Sequence, residues 1–163
     1  HHHMTSNTRF TIARPVALYG PYDDFDLEPC HVVPALIRKF VEGPHPVEVW
    51  GDGSEVRQFT YSEDLAEGLL RLVEDYCVCD PVNIAPFAHA SVRDVVYLLR
   101  DLNAKDVDGY GYRFTQSGPT AIKSRLSDPS RAKRLLGFEC KTTLEDGLRK
   151  TIDWYRANRV EKA

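Results

Sequence analysis

The stretch Trp50-Gly51-Asp52-Gly53-Ser54-Glu55-Val56-Arg57-Gln58-Phe59-Thr60-Tyr61-Ser62-Glu63-Asp64-Leu65-Ala66 passes from β-prone to helical sequence without a break. It begins at the end of one β-prone segment, Pro46 to Trp50, and contains a second, Val56 to Tyr61. Gly51-Asp52-Gly53-Ser54 between them predicts a hairpin-like turn. Ser62 then stands where a helix cap belongs, ahead of an apolar face of Leu65, Ala66, Leu69, Leu72, Val73 and Tyr76. Strand, turn, strand and helix in one run predict a mixed α/β domain.

Upstream, Arg9 to Arg14 is a short β-prone run whose ladder Pro15 limits, and Leu18 to Asp24 is rich in the residues of turns. Val33, Leu36, Ile37, Phe40 and Val41 repeat at helical spacing, with Pro34 suited to a first turn and Gly43 beyond the end. Downstream, Val82 to Ala85 predicts a buried strand. Ser91 with Asp94 three residues on opens a helix carrying Val92, Val95, Val96, Leu98, Leu99 and Leu102. Tyr110 to Thr115 predicts a strand, Asp128-Pro129 a helix ending at Gly137, and Thr142 with Glu145 a last helix carrying Leu144, Leu148, Ile152, Trp154 and Tyr155. Five helices alternate with five short strands.

The length of 163 residues is that of one domain, enough to bury roughly 68–70% of the unfolded surface. Hydrophobic residues make up 42% and charged residues 28%, which excludes a disordered, collagenous or membrane class. With 21 Lys plus Arg against 24 Asp plus Glu, the formal charge of −3 points to no nucleic-acid or membrane partner.

His1-His2-His3-Met4 reads as an affinity-tag remnant and a start methionine, which leaves His31, His45 and His89 to consider. His45 and His89 stand in no constellation and are expected to be solvated loop residues. Cys30, Cys77, Cys79 and Cys140 lack the spacing of a structural zinc site, so no metal is expected. The absence of a secretory segment after the tag makes a reduced, cytoplasmic protein with free thiols the expectation.

Several motifs stand in a fixed order: Arg14-Pro15 followed by Tyr19-Gly20-Pro21; Cys30-His31-Val32-Val33-Pro34-Ala35-Leu36-Ile37-Arg38-Lys39-Phe40; Trp50-Gly51-Asp52-Gly53-Ser54; Arg57-x-Phe59-x-Tyr61-x-x-Asp64-Leu65-Ala66; Val82-Asn83-Ile84; and Ile122 to Asp128. Together they resemble the carboxyl-terminal, substrate-binding half of extended short-chain dehydrogenase/reductases that act on nucleotide sugars, the NAD-dependent epimerase/dehydratase family. Within it the Asp23-Asp24-Phe25 stretch and the helix from His31 look most like the GDP-L-fucose synthase branch. The resemblance runs from Arg9 to Arg159 and implies a small mixed α/β nucleotide-sugar-binding domain that lacks most of the Rossmann domain, residues 9–21 being a strand and loop of that other domain.

For the site, the resemblance implies that Tyr19, Val32, Leu36, Lys39, Trp50, Arg57, Lys123 and Arg125 contact the sugar nucleotide and that Pro15 and Leu18 touch the cofactor. Arg57 suits a diphosphate because its planar fork meets phosphate oxygens in pairs; the alternative is a surface cation paired with a neighbouring carboxylate. Trp50 is either a stacking platform for a base or a core residue at a strand end. His31 is implied to act as an acid in epimerisation, a role an imidazole suits near neutral pH, or else is a histidine at the start of a helix that bonds nearby backbone. Lys39 stands where the family tends to have a second arginine, which removes a bidentate contact. Asp64 and Asp128, each at a helix start, are expected to be architectural.

Neither the glycine-rich strand-to-helix turn that receives a dinucleotide nor the family's Tyr-x-x-x-Lys pair occurs in the sequence. NAD or NADP is therefore expected in the complete family enzyme and not on this chain alone. The expected role is the nucleotide-sugar-binding part of an NAD(P)-dependent epimerase or reductase, inactive by itself. The alternative is a free-standing binding module or half of a split enzyme, completed by a separate dinucleotide-binding chain. Exposed apolar surface around Phe10 and Ile12 is expected to favour self-association into a homo-oligomer.

Overall fold

A computed structural model of the chain describes residues 9–26, 31–103, 110–115 and 122–160. His1 to Met4 and Cys30 lie outside the described residues. The elements are β1 (Ile12–Pro15), β2 (Ala17–Tyr19), α1 (Val32–Glu42), β3 (Val47–Trp50), β4 (Val56–Arg57), β5 (Phe59–Tyr61), α2 (Ser62–Asp75), β6 (Pro81–Ile84), β7 (Ala90–Ser91), α3 (Val92–Asn103), β8 (Tyr112–Thr115), β9 (Ser124–Arg125), α4 (Ser130–Leu136) and α5 (Leu144–Tyr155), with one wide π-type turn at Arg156–Val160. The class is mixed α/β, as the sequence predicts.

The strands form four small sheets: β1 with β6, β2 with β5 and β3 with β8, all parallel, and β4 between antiparallel β7 and parallel β9. The predicted hairpin is corrected here. Gly51 to Ser54 does turn the chain, but β3 and β4 leave it toward different partners. Gly53 O and Glu55 O accept from Arg93 N and Val92 N, both at 2.9 Å, so the turn docks on the start of α3. The predicted first strand, Arg9 to Arg14, is found shifted as β1 at Ile12–Pro15, and the turn-rich stretch expected from Leu18 starts later, because Ala17–Tyr19 pairs with β5 as a second strand, β2.

Apolar periodicity decides which face each helix buries. Val33, Leu36, Ile37 and Phe40 of α1, Val95, Val96 and Leu99 of α3, and Leu148, Ile152 and Tyr155 of α5 meet in one core with Val47, Val49, Phe59 and Tyr61. A second, smaller core under α2 and α4 gathers Leu72, Val82, Ile84, Ala132, Leu136 and Phe138. Gly147 lets α5 approach Tyr19, whose phenol occupies the space a Cβ would take.

Capping agrees with the sequence in part. Ser91 Oγ accepts from Asp94 N at 3.1 Å, and Asp94 Oδ2 accepts from Ser91 N at 2.8 Å. Gly137, at φ 58°, ends α4 in the left-handed region. Ser62 is not a cap: it is the first residue of α2, and Tyr61 before it supplies no side-chain cap bond. At α5 the cap is Thr143, accepting from Asp146 N at 3.1 Å, one residue after the predicted Thr142. Thr142 N instead donates to buried Asp64, as does Lys141 N, both at 3.1 Å, so Asp64 ties α2 to the segment entering α5.

Candidate functional site

A cleft of about 610 Å³ opens where β1, β2, β4 and β9 meet the start of α1. Parallel pairing sets its chemistry. The β4–β9 register places Arg57 opposite Arg125, and the β1–β6 register places Arg14 opposite Asn83. All four line the cleft, together with Pro15, Leu18, His31, Val32 and Ser127.

Arg57 Nη1 donates to Val56 O at 2.7 Å and Nη2 to Ile122 O at 2.6 Å. Among the described residues neither Arg57, Arg14 nor Arg125 has a carboxylate within ion-pair reach, whereas Arg38, Arg71, Arg100, Arg113, Arg131, Lys133, Lys141, Arg149 and Lys150 each have one. Three guanidinium groups with no carboxylate partner among the described residues thus line one concavity, which makes it locally positive in a chain of net charge −3.

His31 stands just before α1, exposed at the cleft, its Nδ1 4.0 Å from Asp23 Oδ1. It makes no side-chain cap bond to the helix; its carbonyl accepts from Ala35 N at 3.1 Å. Burial pushes the Asp23 carboxyl above its ordinary range, against the opposing pull of its hydrogen bond to Asp24 N and of His31.

Lys39 and Trp50 lie away from the cleft, on a groove of about 490 Å³ between α1 and β3. Lys39 Nζ sits 5.2 Å from the centroid of the Trp50 ring and donates to Glu48 O at 3.1 Å. Trp50 is 57% exposed, so it is not a core residue. From Val32 to Lys39 is two turns of α1, about 10.5 Å at 1.5 Å per residue.

Other predicted site residues fall elsewhere. Tyr19 is sealed in the core at 1% exposure, its hydroxyl donating to Leu144 O at 3.4 Å and its phenol pushed up chiefly by burial. Leu36 is also a core residue, so neither lines the cleft. Lys123 is exposed beside the cleft without lining it, its carbonyl accepting from Val56 N at 2.7 Å. His45 is not a solvated loop residue: its ring packs 4.2 Å from that of Tyr110. His89 is exposed. Asp128 Oδ1 accepts from Ser130 N at 2.9 Å at the start of α4, in line with an architectural role. Cys77, Cys79 and Cys140 are free thiols, and no cluster able to hold a metal occurs among the described residues. Burial pushes the Cys140 thiol up to about 12.

Arg14, Asn83 and Ser127 were not singled out from the sequence. All three stand inside quoted motifs, but only the β1–β6 register brings Arg14 and Asn83 together.

The model of the NAD dependent epimerase/dehydratase family matches residues 1–85. GDP-L-fucose synthase 1 of Arabidopsis thaliana is 37% identical over 152 residues, covering 88% of this chain and 45% of that protein. Among solved structures, a GDP-L-fucose synthetase from Naegleria fowleri superposes with a TM-score of 0.83 at 28% identity, over 94% of this chain and 47% of that one. UDP-glucuronic acid 4-epimerase from Bacillus cereus, in complex with UDP-glucuronic acid and NAD, gives 0.79 at 27% identity, over 95% and 48%. The chain spans about half the length of the proteins it matches.

Proposed function

Because the chain belongs to the NAD dependent epimerase/dehydratase family, we propose that its arginine-lined cleft holds the diphosphate of a nucleotide-linked sugar and that these residues form the substrate-holding part of an NAD(P)-dependent nucleotide-sugar epimerase or reductase. The observation that carries this is the convergence of Arg14, Arg57 and Arg125 without a carboxylate partner among the described residues. A diphosphate offers oxygens in pairs to planar guanidinium forks, so it satisfies this arrangement better than a neutral ligand. The two turns of α1 from Val32 to Lys39 lead from the cleft to the exposed Trp50, which serves as the platform for the base. His31, backed by Asp23, is the proton-carrying group on the sugar side. The resemblance to GDP-L-fucose synthases favours a GDP-sugar.

The residues of this chain do not fit a dinucleotide. No glycine-rich strand-to-helix turn occurs among the described residues, and no Tyr-x-x-x-Lys pair occurs in the sequence. A nicotinamide cofactor therefore requires polypeptide other than these residues, with Pro15 and Leu18 as the contacts this chain extends toward it. A second reading, in which a separate dinucleotide-binding chain completes the assembly, is favoured by one observation. Among the described residues β1 pairs only with β6, while Phe10 and Ile12, and Leu70 and Val73 on α2 packed beside it, are exposed.

Isothermal titration with GDP-, UDP-, dTDP- and CDP-sugars tests the first reading. Saturable binding of at least one is expected, led by the GDP-sugars, and binding of none overturns it. Sedimentation across the micromolar range tests the second, which a clean monomer in mixtures with candidate partner chains overturns.

A further inference from the structure

Gln58 sits between β4 and β5, one residue after Arg57, and is 3% exposed. Its amide is fully used. Nε2 donates to Pro86 O at 2.6 Å and to Ser127 O at 3.0 Å; Oε1 accepts from Ser127 N at 2.7 Å and from Ser127 Oγ at 3.3 Å. Two donations and two acceptances from one planar group require a side-chain amide, since a carboxylate donates nothing and an apolar isostere leaves the backbone groups unpaired. Three of the four bonds go to the segment that carries Arg125, two residues before Ser127.

The pairing of β9 with β4 spans only two residues, so the rest of that segment is held by side chains. Arg57 and Arg125 stand opposite one another in register on neighbouring strands, whose backbones run about 4.8 Å apart, with like charges lining the same cleft. Its two ends are held by exposed bonds, Arg57 Nη2 to Ile122 O at 2.6 Å and Asn83 Nδ2 to Asp128 O at 3.0 Å. Gln58 holds it from beneath, out of water, where a hydrogen bond is hardest to replace.

We propose that Gln58 is a positioning residue that fixes Arg125 opposite Arg57, so that the two guanidinium groups grip the adjacent phosphates of one diphosphate. It acts through Ser127 and lines no part of the cleft itself. This rests on the cleft being the diphosphate site.

A double-mutant cycle on the chain, with inorganic pyrophosphate and GDP as probes in calorimetric titrations, tests it. Arg125→Ala is expected to weaken binding about tenfold, as the loss of one charge-assisted contact. Gln58→Met is expected to weaken it by a similar factor with the circular dichroism spectrum unchanged, and the double variant to be within about twofold of Arg125→Ala alone, because position is immaterial once the guanidinium is gone. A merely structural role gives multiplying losses. Multiplying losses, or a Gln58→Met chain that binds as well as the parent, overturn the inference and leave the cleft reading intact; a parent chain that binds neither probe overturns both. If Gln58→Met does not fold, Ser127→Pro, which removes the amide donating to Gln58 from the half-buried segment, takes its place in the same cycle under the same criteria.

Discussion

The cleft and the helices α2, α4 and α5 treat charge in contrary ways. Around α2, α4 and α5 charged groups are matched: Arg71 to Glu67 at 2.8 Å, Lys150 to Glu63 at 3.3 Å, Arg131 to Asp80, and buried Asp64 to the backbone of Lys141 and Thr142. At the cleft, three arginines are left without a carboxylate among the described residues. The difference follows from water. Exposed guanidinium groups are well solvated, so leaving them unpaired costs the fold little, while a carboxylate inside must be satisfied. Net charge therefore says little about ligands here. Where neutralisation stops says more.

The largest effect should fall among the satisfied groups. Asp64→Ala leaves two backbone amides without their acceptor at a buried position, a loss of about 3 kcal/mol of stability. Urea unfolding reads it directly, and the folded fraction should bind nucleotide diphosphates as the parent does. Arg57→Ala should do the reverse, with affinity for a nucleoside diphosphate falling about tenfold or more while stability stays within about 1 kcal/mol. Arg57→Lys should fall between, since an ammonium lacks the fork. If Arg57→Ala unfolds the chain as readily as Asp64→Ala, the distinction between the two regions fails.

Helices were legible because their signals are local. The Ser91–Asp94 pair, the apolar stripe of α1 and the stop at Gly137 each act within a turn or two of chain. The slip at α5 has a local cause as well. Thr142 with Glu145 and Thr143 with Asp146 are equivalent patterns, and the tie is broken by Asp64, which takes the Thr142 amide from far along the sequence. Strand partners were not legible. Gly51 to Ser54 reads as a hairpin turn because glycine and aspartate suit any tight reversal, yet β3 pairs with β8 and β4 with β7 and β9. The site divides along the same line. Arg57, Arg125 and His31 are legible from their own chemistry within the motifs, whereas Asn83, Ser127 and Gln58, though inside the same motifs, matter only through pairings that join distant segments. Tyr19 and Leu36 illustrate the opposite error, since their apolar setting outweighs the family position and places both in the core.

The smallest effect concerns a carboxylate that is matched yet remains in water, and it sharpens what burial adds. Asp94 accepts from the Ser91 hydroxyl at 2.7 Å and from its backbone N–H at 2.8 Å. These bonds, the hydroxyl first, hold its carboxyl below the ordinary range. A carboxylate whose folded pKa is depressed contributes stability that is complete above its unfolded value, about 3.9, and is lost as pH falls through the folded value. Asp94→Ala should therefore cost about 1 kcal/mol at pH 7, the usual worth of a helix cap. The gap between parent and variant should narrow below about pH 4. Thermal melts of both chains from pH 7 down to pH 3 measure this. A gap that stays constant across that range would mean that charge adds nothing to the cap, and that the matching at this helix start is geometric rather than electrostatic.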